Sequence, residues 1–436
     1  MSKPLGPDDV TSIVIETGSS ATRVGFSGDY SPKYVIPTVY GKIAGEHSPS
    51  GKDQYSFGNV DINVPESHKE IYCPLSDGLI QDWPGVSRLW TYIYEHELGM
   101  DPREQPLVIP EPTWNPVENK QRALEVALEE FQVPVFSLLK APLCATYEST
   151  KPTALVIDVG AAVASVTPVV DGNVLTRASF HSRFAGDFVN AHIASHLQTQ
   201  RNLSVTPHYQ VASKSVSDPG QPANPSLKTF EDGFISDSYH AYQVQRVLAE
   251  FKESTSQVSE VPFNPASLPF ARVGSRPFEF PTGFNMSFGP ERFTTTEPLF
   301  KPSQFPLPNM PPLENAHGLG DMIYGAVTRA IDSSASQSAT GLADSYLKNL
   351  LSNIIITGGT TLLQGFTSRI EYELGQYFPS HQPRYTIAPT AADRKATTWT
   401  GASIVASLGS FDSNVWVTKQ DYEEIGALGL AEKRFR

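Results

Sequence analysis

The chain has 436 residues, of which 39% are apolar, enough to bury two substantial cores rather than one small one. Its net charge of −13, from 33 basic and 46 acidic side chains, opposes binding to a phosphate backbone, and no basic run offsets it, so direct sequence-specific DNA binding is not expected. Cys73 and Cys144 are the two cysteines. They exclude a disulfide scaffold and suit a reducing compartment, and the lack of an apolar leader or a stretch of transmembrane length predicts a soluble, intracellular protein with no membrane partner.

In chain order, the first unit is strand–turn–strand. Apolar Ile13-Val14-Ile15 runs into Glu16, then the turn Thr17-Gly18-Ser19-Ser20, then a second strand from Thr22 to Phe26. Residues 45–70 are polar and rich in Gly, Ser and Pro, and read as a loop with little core of its own. From 77 to 98 the pattern turns helical, with Val86, Leu89, Trp90, Ile93 and Tyr94 at 3/4 spacing, a stripe best explained as core. Leu107-Val108-Ile109 reads as a short buried strand, and residues 117–131 as a helix opened by Asn115-Pro116.

Ala154 to Ala162 then repeats the first design. A strand ends in Asp158, the turn centres on Gly160, and a second strand runs from Val163 to Val169. The chain is therefore expected to be duplicated, its two hairpins able to clamp a polyphosphate while Glu16 and Asp158 hold a hydrated cation. Residues 202–240 read as a surface loop. Pro302, Pro306, Pro308, Pro311 and Pro312 stiffen an extended connection. Helices are expected over 318–331, 344–351, 366–376 and 402–408. Asn353 to Thr361 is a β-branched strand, a Gly358-Gly359 turn and a helix start, where backbone N–H groups can approach a phosphate or nucleoside. A Gly-Gly turn after a strand is also plain punctuation.

The spacing of these three loops resembles the actin, sugar-kinase and heat-shock ATPase superfamily. Phe278-Glu279-Phe280-Pro281-Thr282-Gly283, Phe288 to Phe293, Pro298 to Ser303, Trp399 to Ile404 and Trp416 to Tyr422 narrow the resemblance to actin, over nearly the whole chain. It implies an α/β fold of two lobes, each with a mixed five-stranded-type sheet flanked by helices, around a nucleotide cleft. The small lobe would be 1–148 with 397–436, carrying the reduced loop near 45–70. The large lobe would be 149–396, with the surface loop 202–240 and the Pro-rich segment 302–315.

Residue by residue, the resemblance puts Glu16, Gly18, Ser19, Ser20 and Arg23 in the first phosphate loop and Asp158 to Ser165, including Gly160, in the second. It puts Lys252 and Glu253 on the ribose- and base-contacting helix, Gly358, Gly359 and Thr360 in the third loop, and Lys395 beside adenine. ATP, with Mg held through water by Glu16 and Asp158, is the implied cofactor. Several positions depart from actin in one direction. Glu16 replaces aspartate, Ser20 glycine, and Arg23 the phosphate-reaching lysine. Ala161-Ala162 replaces Asp-Gly, Ser165 histidine, and Lys140 the glutamine that orients the attacking water. Binding without useful hydrolysis is expected.

In actin, a loop matching Glu46 to Asp53 inserts into the next filament subunit, and an apolar plug stands where the prolines stand here; neither feature is kept. With Val39-Tyr40-Gly41-Lys42, Glu111 to Asn115, Val169-Val170-Asp171-Gly172 and the ending Arg434-Phe435-Arg436, the pattern resembles the nuclear actin-related proteins. That branch implies a nuclear scaffold of remodelling and histone acetyltransferase complexes, serving transcription regulation and DNA repair. It would pair with monomeric actin on a helicase-SANT-associated helix of a motor or platform subunit, and touch histones or the nucleosome. The helix would enter a groove lined by Ala145, Tyr147, Thr400, Ile404, Val405 and Leu408, although the same residues could simply be core. A divergent cytoskeletal ATPase that forms or nucleates filaments is the alternative.

Overall fold

The computed structural model describes residues 11–263, 274–308, 318–335, 341–408 and 415–435. Pro311, Pro312 and Arg436, used in the sequence reading, lie outside the described residues. The small sheet system is built from β1 (Ile13–Thr17), β2 (Ala21–Phe26), β3 (Tyr34–Pro37), β4 (Leu107–Glu111), β5 (Val135–Lys140) and, late in the chain, β12 (Val417–Thr418). The second is built from β6 (Ala154–Val159), β7 (Ala164–Val170), β8 (Asn173–Val174), β9 (Phe180–Ser182), β10 (Ile354–Thr357) and β11 (Tyr385–Ile387).

Strand order shows the duplication directly. The first sheet runs β12-β5-β4-β1-β2-β3, and the second β8-β7-β6-β10-β11 with β9 also on β7. In each, a hairpin (β1/β2, β6/β7) is antiparallel and its first strand then pairs in parallel with β4 or β10. Each sheet has six strands rather than the five expected, because short β12 extends one edge and both β8 and β9 lie on β7.

Both faces of each sheet are buried, so the strands read as continuous apolar runs. Ile13 and Ile15 face one core with Trp90 and Tyr94, while Val14 faces another with Cys144 and Trp399. Leu155 and Ile157 likewise face away from Ala154 and Val156. Two helices fill the space between the sheets. In α1 (Ala141–Glu148), Cys144 packs on the first sheet and Ala145 on the second. In α4 (Ala391–Ser407), Trp399 donates its indole N–H to Val14 O at 3.0 Å. The chain crosses between the sheets along these helices. We propose the lobe division 1–148 with 397–436 and 149–396, the second boundary falling inside α4.

Several sequence expectations shift. The helix expected from 77 begins at Trp83, where Asp82 caps the N–H of Gly85 and Pro84 occupies the first turn; its stripe is core, Val86, Leu89, Trp90, Ile93 and Tyr94 each being no more than 1% exposed. Residues 45–70 are not a bare loop. Tyr40–Ile43, Gln54–Ser56 and Glu70–Tyr72 form a three-stranded sheet, with Phe57, Ile62 and Lys69 buried beneath it. Segment 202–240 is largely irregular but holds a short strand pair and an aromatic cluster of Tyr209, Phe230 and Phe234. The Gly-Gly turn leads into a short 3-10 turn, Gly359–Leu362, and the following helix starts at Phe366. The helix expected over 402–408 is the end of the seventeen-residue α4.

Candidate nucleotide site

The β1/β2 register places Glu16 opposite Arg23, and Arg23 Nη1 lies 3.6 Å from Glu16 Oε1. Gly18 closes the turn by donating its N–H to Ala21 O at 3.2 Å, and Thr38 Oγ1 donates to Gly18 O. Ser19 and Ser20 form the tip, Ser20 exposed. In the second hairpin, Gly160 N–H donates to Val163 O at 2.9 Å. Gly160 O then accepts from Gly186 N–H at 3.1 Å and from Thr360 Oγ1 at 2.7 Å, joining the second and third loops.

The third loop needs glycine at one position. Gly358 has φ +92°, and a Cβ there would lie 2.4 Å from Val159 O and 2.5 Å from Asp158 Oδ1. Helices α2 (Gly186–Arg201) and α3 (Asp237–Thr255) complete the wall. Lys252 Nζ donates to Gly186 O at 3.0 Å, Glu253 faces Lys395 at 3.7 Å, and the aliphatic stem of Lys395 lies along Gly359. A cavity of about 60 Å³ between the sheets is lined by Asp158, Ser165 and Thr357 from one side and Thr113, Ala141 and Pro142 from the other.

The two acids meet the chemical requirement of a cation site. Glu16 Oε2 is buried with no hydrogen-bond partner among the described residues. Burial raises the Glu16 carboxyl, with Arg23 opposing. Burial and then the Glu16 charge push Asp158 up to about 6, with Arg23 again opposing. An acid raised on folding stabilises the fold below its unfolded value, and that contribution disappears as pH rises through its folded value. The cation-free protein should therefore lose roughly 3 kcal/mol between about pH 4 and pH 6 that Asp158→Asn does not lose. Parallel thermal melts of the two proteins across that window check this, and equal slopes would contradict it.

Lys140 is held in an ion pair. Its Nζ sits 2.5 Å from Glu111 Oε1, paired across the β4/β5 register, and Lys120 lies 3.9 Å from the same oxygen while donating to Phe435 O. Sequence reading missed Glu111, which is 3% exposed. It also missed Arg394, whose carbonyl accepts from Thr357 Oγ1 at 2.8 Å and from Gly358 N–H at 3.3 Å. Gly186 was missed too, although a glycine opening a helix after a strand is a readable signal; a Cβ there would meet Thr360 Oγ1 at 2.7 Å.

The expected groove residues divide into two groups. Ala145 is buried between the sheets and Val405 packs on the Trp399 core, so these two are structural. Tyr147 and Leu408 are 40% and 55% exposed, and Thr400 and Ile404 are half-buried on α4. Loop residue Tyr30, almost fully exposed, accepts a hydrogen bond from Thr400 Oγ1 through its carbonyl.

The actin family model matches residues 7–436. The chain belongs to the actin family. Several of its relatives are named actin-related protein 4. It is 36% identical to actin-related protein 4 of Yarrowia lipolytica, over 98% of this chain and 97% of that one. It is 34% identical to actin-related protein 4 of Schizosaccharomyces pombe, over 98% of both chains. It is also 34% identical to a second protein of that yeast named SWI/SNF and RSC complexes subunit arp42, over 96% of this chain and 97% of the relative. The two-lobe α/β fold with its mixed sheets is that of the family.

Proposed function

We propose that this protein is a nuclear, non-catalytic scaffold subunit of ATP-dependent chromatin-remodelling complexes. The carrying observation is the full-length similarity to relatives named actin-related protein 4 and SWI/SNF and RSC complexes subunit. The unpartnered Glu16 Oε2, the Asp158 carboxyl beside it and the Cβ-free approach at Gly358 fit a cation-bound nucleotide. ATP, when bound, supplies a polyphosphate with Mg²⁺. Gly18, Ser19, Ser20, Arg23, Gly160 and Gly358 to Thr360 would hold the phosphates, Glu16 and Asp158 the cation through water, and Lys252, Glu253 and Lys395 the nucleoside side.

Hydrolysis needs a water held in line with the γ-phosphate. Lys140 is tied to Glu111, and Ser165 offers a hydroxyl where an imidazole would be required, so the bound nucleotide is structural. Lys140→Gln with Ser165→His should leave phosphate release within about twofold of wild type, because the Ser20 and Ala161-Ala162 loops remain altered. Brisk release in a single-turnover assay would show the loops to be competent.

Partner binding is assigned to the exposed part of the groove. Ile404 on α4 and Leu408 at its C-terminal cap, with Tyr147 and Thr400, form a largely apolar seat for a helicase-SANT-associated helix beside monomeric actin. The same scaffold would serve histone acetyltransferase complexes and bring them to nucleosomes or histones in transcription regulation and DNA repair. Mixing purified protein, monomeric actin and a helicase-SANT-associated peptide should give a 1:1:1 complex by size-exclusion chromatography with light scattering. Pelleting with phosphate release in the absence of peptide would instead favour a filament-forming or filament-nucleating ATPase.

A further inference from the structure

Two exposed histidines lie face to face at the edge of the small three-stranded sheet. The rings of His47 and His68 are stacked, with centroids 4.0 Å apart and planes within 11°. The sheet brings them together. Its central strand, Tyr40–Ile43, pairs with Gln54–Ser56 on one side and with Glu70–Tyr72 on the other, where Lys42 lies opposite Glu70. Continued two residues outward, that register sets Ala44 opposite His68, and the 3-10 turn Gly45–His47 then carries His47 onto it.

Each ring is mounted on an ordered segment. The amide of His47 donates to Ala44 O at 2.9 Å, the amide of Gly45 donates to Asp53 Oδ1 at 2.9 Å, and Asp53 pairs with Lys42 at 2.8 Å, which pins the base of loop 44–53. His68 precedes Lys69, which is fully buried and donates to Asp61 O and Val64 O at 2.9 Å each. The φ of His68 is +58°, in the left-handed region that a residue with a Cβ enters at a cost of about 1 kcal/mol.

Imidazole nitrogen is a ligand for borderline divalent ions such as Zn²⁺ and Cu²⁺, whereas Mg²⁺ prefers oxygen. A ligating imidazole is oriented by an acceptor at its other nitrogen. Glu46 Oε1 lies 3.4 Å from His47 Nε2, in the place of such an acceptor, which leaves Nδ1 of His47 for a metal. Because both rings are exposed, they can tilt from parallel until two nitrogens stand about 3.3 Å apart, the spacing of a tetrahedral pair with Zn–N near 2.0 Å. No three His, Cys, Asp or Glu side chains form a metal cluster among the described residues. The site therefore offers two protein ligands, with water in the remaining positions.

We propose that His47 and His68 together bind a divalent cation of the zinc class, and that the metal staples loop 44–53 to the segment 64–69. The order of this loop then depends on the metal, independently of what occupies the cleft.

His47→Gln and His68→Asn each remove one imidazole from an exposed position, asparagine keeping the tolerance of a left-handed backbone. Isothermal titration of the full chain with ZnCl₂ in excess MgCl₂ should show one zinc per chain, bound at least about tenfold more weakly by either variant and roughly tenfold more weakly by Glu46→Ala. His208→Gln, which removes another exposed histidine beside a carboxylate, should bind as wild type. With zinc at ten times its Kd, native-state exchange of the His47 and Ser48 amides should slow about tenfold in wild type and not in the variants. Equal zinc affinity in wild type and both variants, or zinc bound without slower exchange of these amides, would overturn the proposal.

Discussion

Gly401→Ala should destabilise the protein by about 3 kcal/mol, although alanine is the better helix former by about 1 kcal/mol. Gly401 sits in α4 where it crosses α1, and a Cβ added there would lie 1.8 Å from Cys144 O and 2.3 Å from its carbonyl carbon. The obstacle is backbone, so no rotamer change relieves it; the two helices must move apart. They are the elements on which both sheets rest, with Trp399 and Cys144 on one face and Ala145 on the other. The expected reading is a fall in melting midpoint of roughly 3 °C. Gly375→Ala is the internal control. It lies in the helix Phe366–Tyr377 with nothing within 4 Å of an added Cβ, and should be neutral or slightly stabilising. Similar midpoints for the two variants would contradict this packing.

Arg369→Leu should cost about 4 kcal/mol, the scale for removing one partner from a buried ion network. Arg369 is fully buried and grips Glu297 with both terminal nitrogens at 2.8 and 2.7 Å, while its Nε donates to Glu373 at 2.8 Å. Its guanidinium also lies over the Phe300 ring at 4.3 Å. Leucine fills much of the volume but leaves two buried carboxylates, 3% and 4% exposed, without a counter-charge. Adding Glu297→Gln and Glu373→Gln should recover at least half the loss. A triple variant as unstable as the single one would show that packing around Phe300, not uncompensated charge, sets the cost.

The parts of this molecule legible in the sequence are those made by neighbours. Each hairpin announces itself by an apolar run, one acid and a small-residue turn, because a tight turn and a close backbone approach restrict which residues fit. The stripe from Val86 to Tyr94 is readable because one helix face packs on one core. Contacts set by strand register or lobe geometry left no such trace. Glu111 and Lys140 are 29 residues apart and meet only because β4 and β5 pair in parallel. Asn63 and Tyr239 lie 176 apart. Residues 45–70 read as empty because Phe57, Ile62 and Lys69 enter the core singly, without period. The groove was half legible: four-residue spacing placed Ile404 and Leu408 on one face, but spacing does not separate Ala145, buried between sheets, from Leu408, which is exposed.

The most direct test of the scaffold function is affinity purification of the tagged protein from nuclear extract with identification of its co-purifying partners by mass spectrometry. Remodelling motors, acetyltransferase subunits and monomeric actin up to equal stoichiometry are the predicted result. Recovery of cytoplasmic filament or branching components alone would contradict it and put the cytoskeletal ATPase in its place.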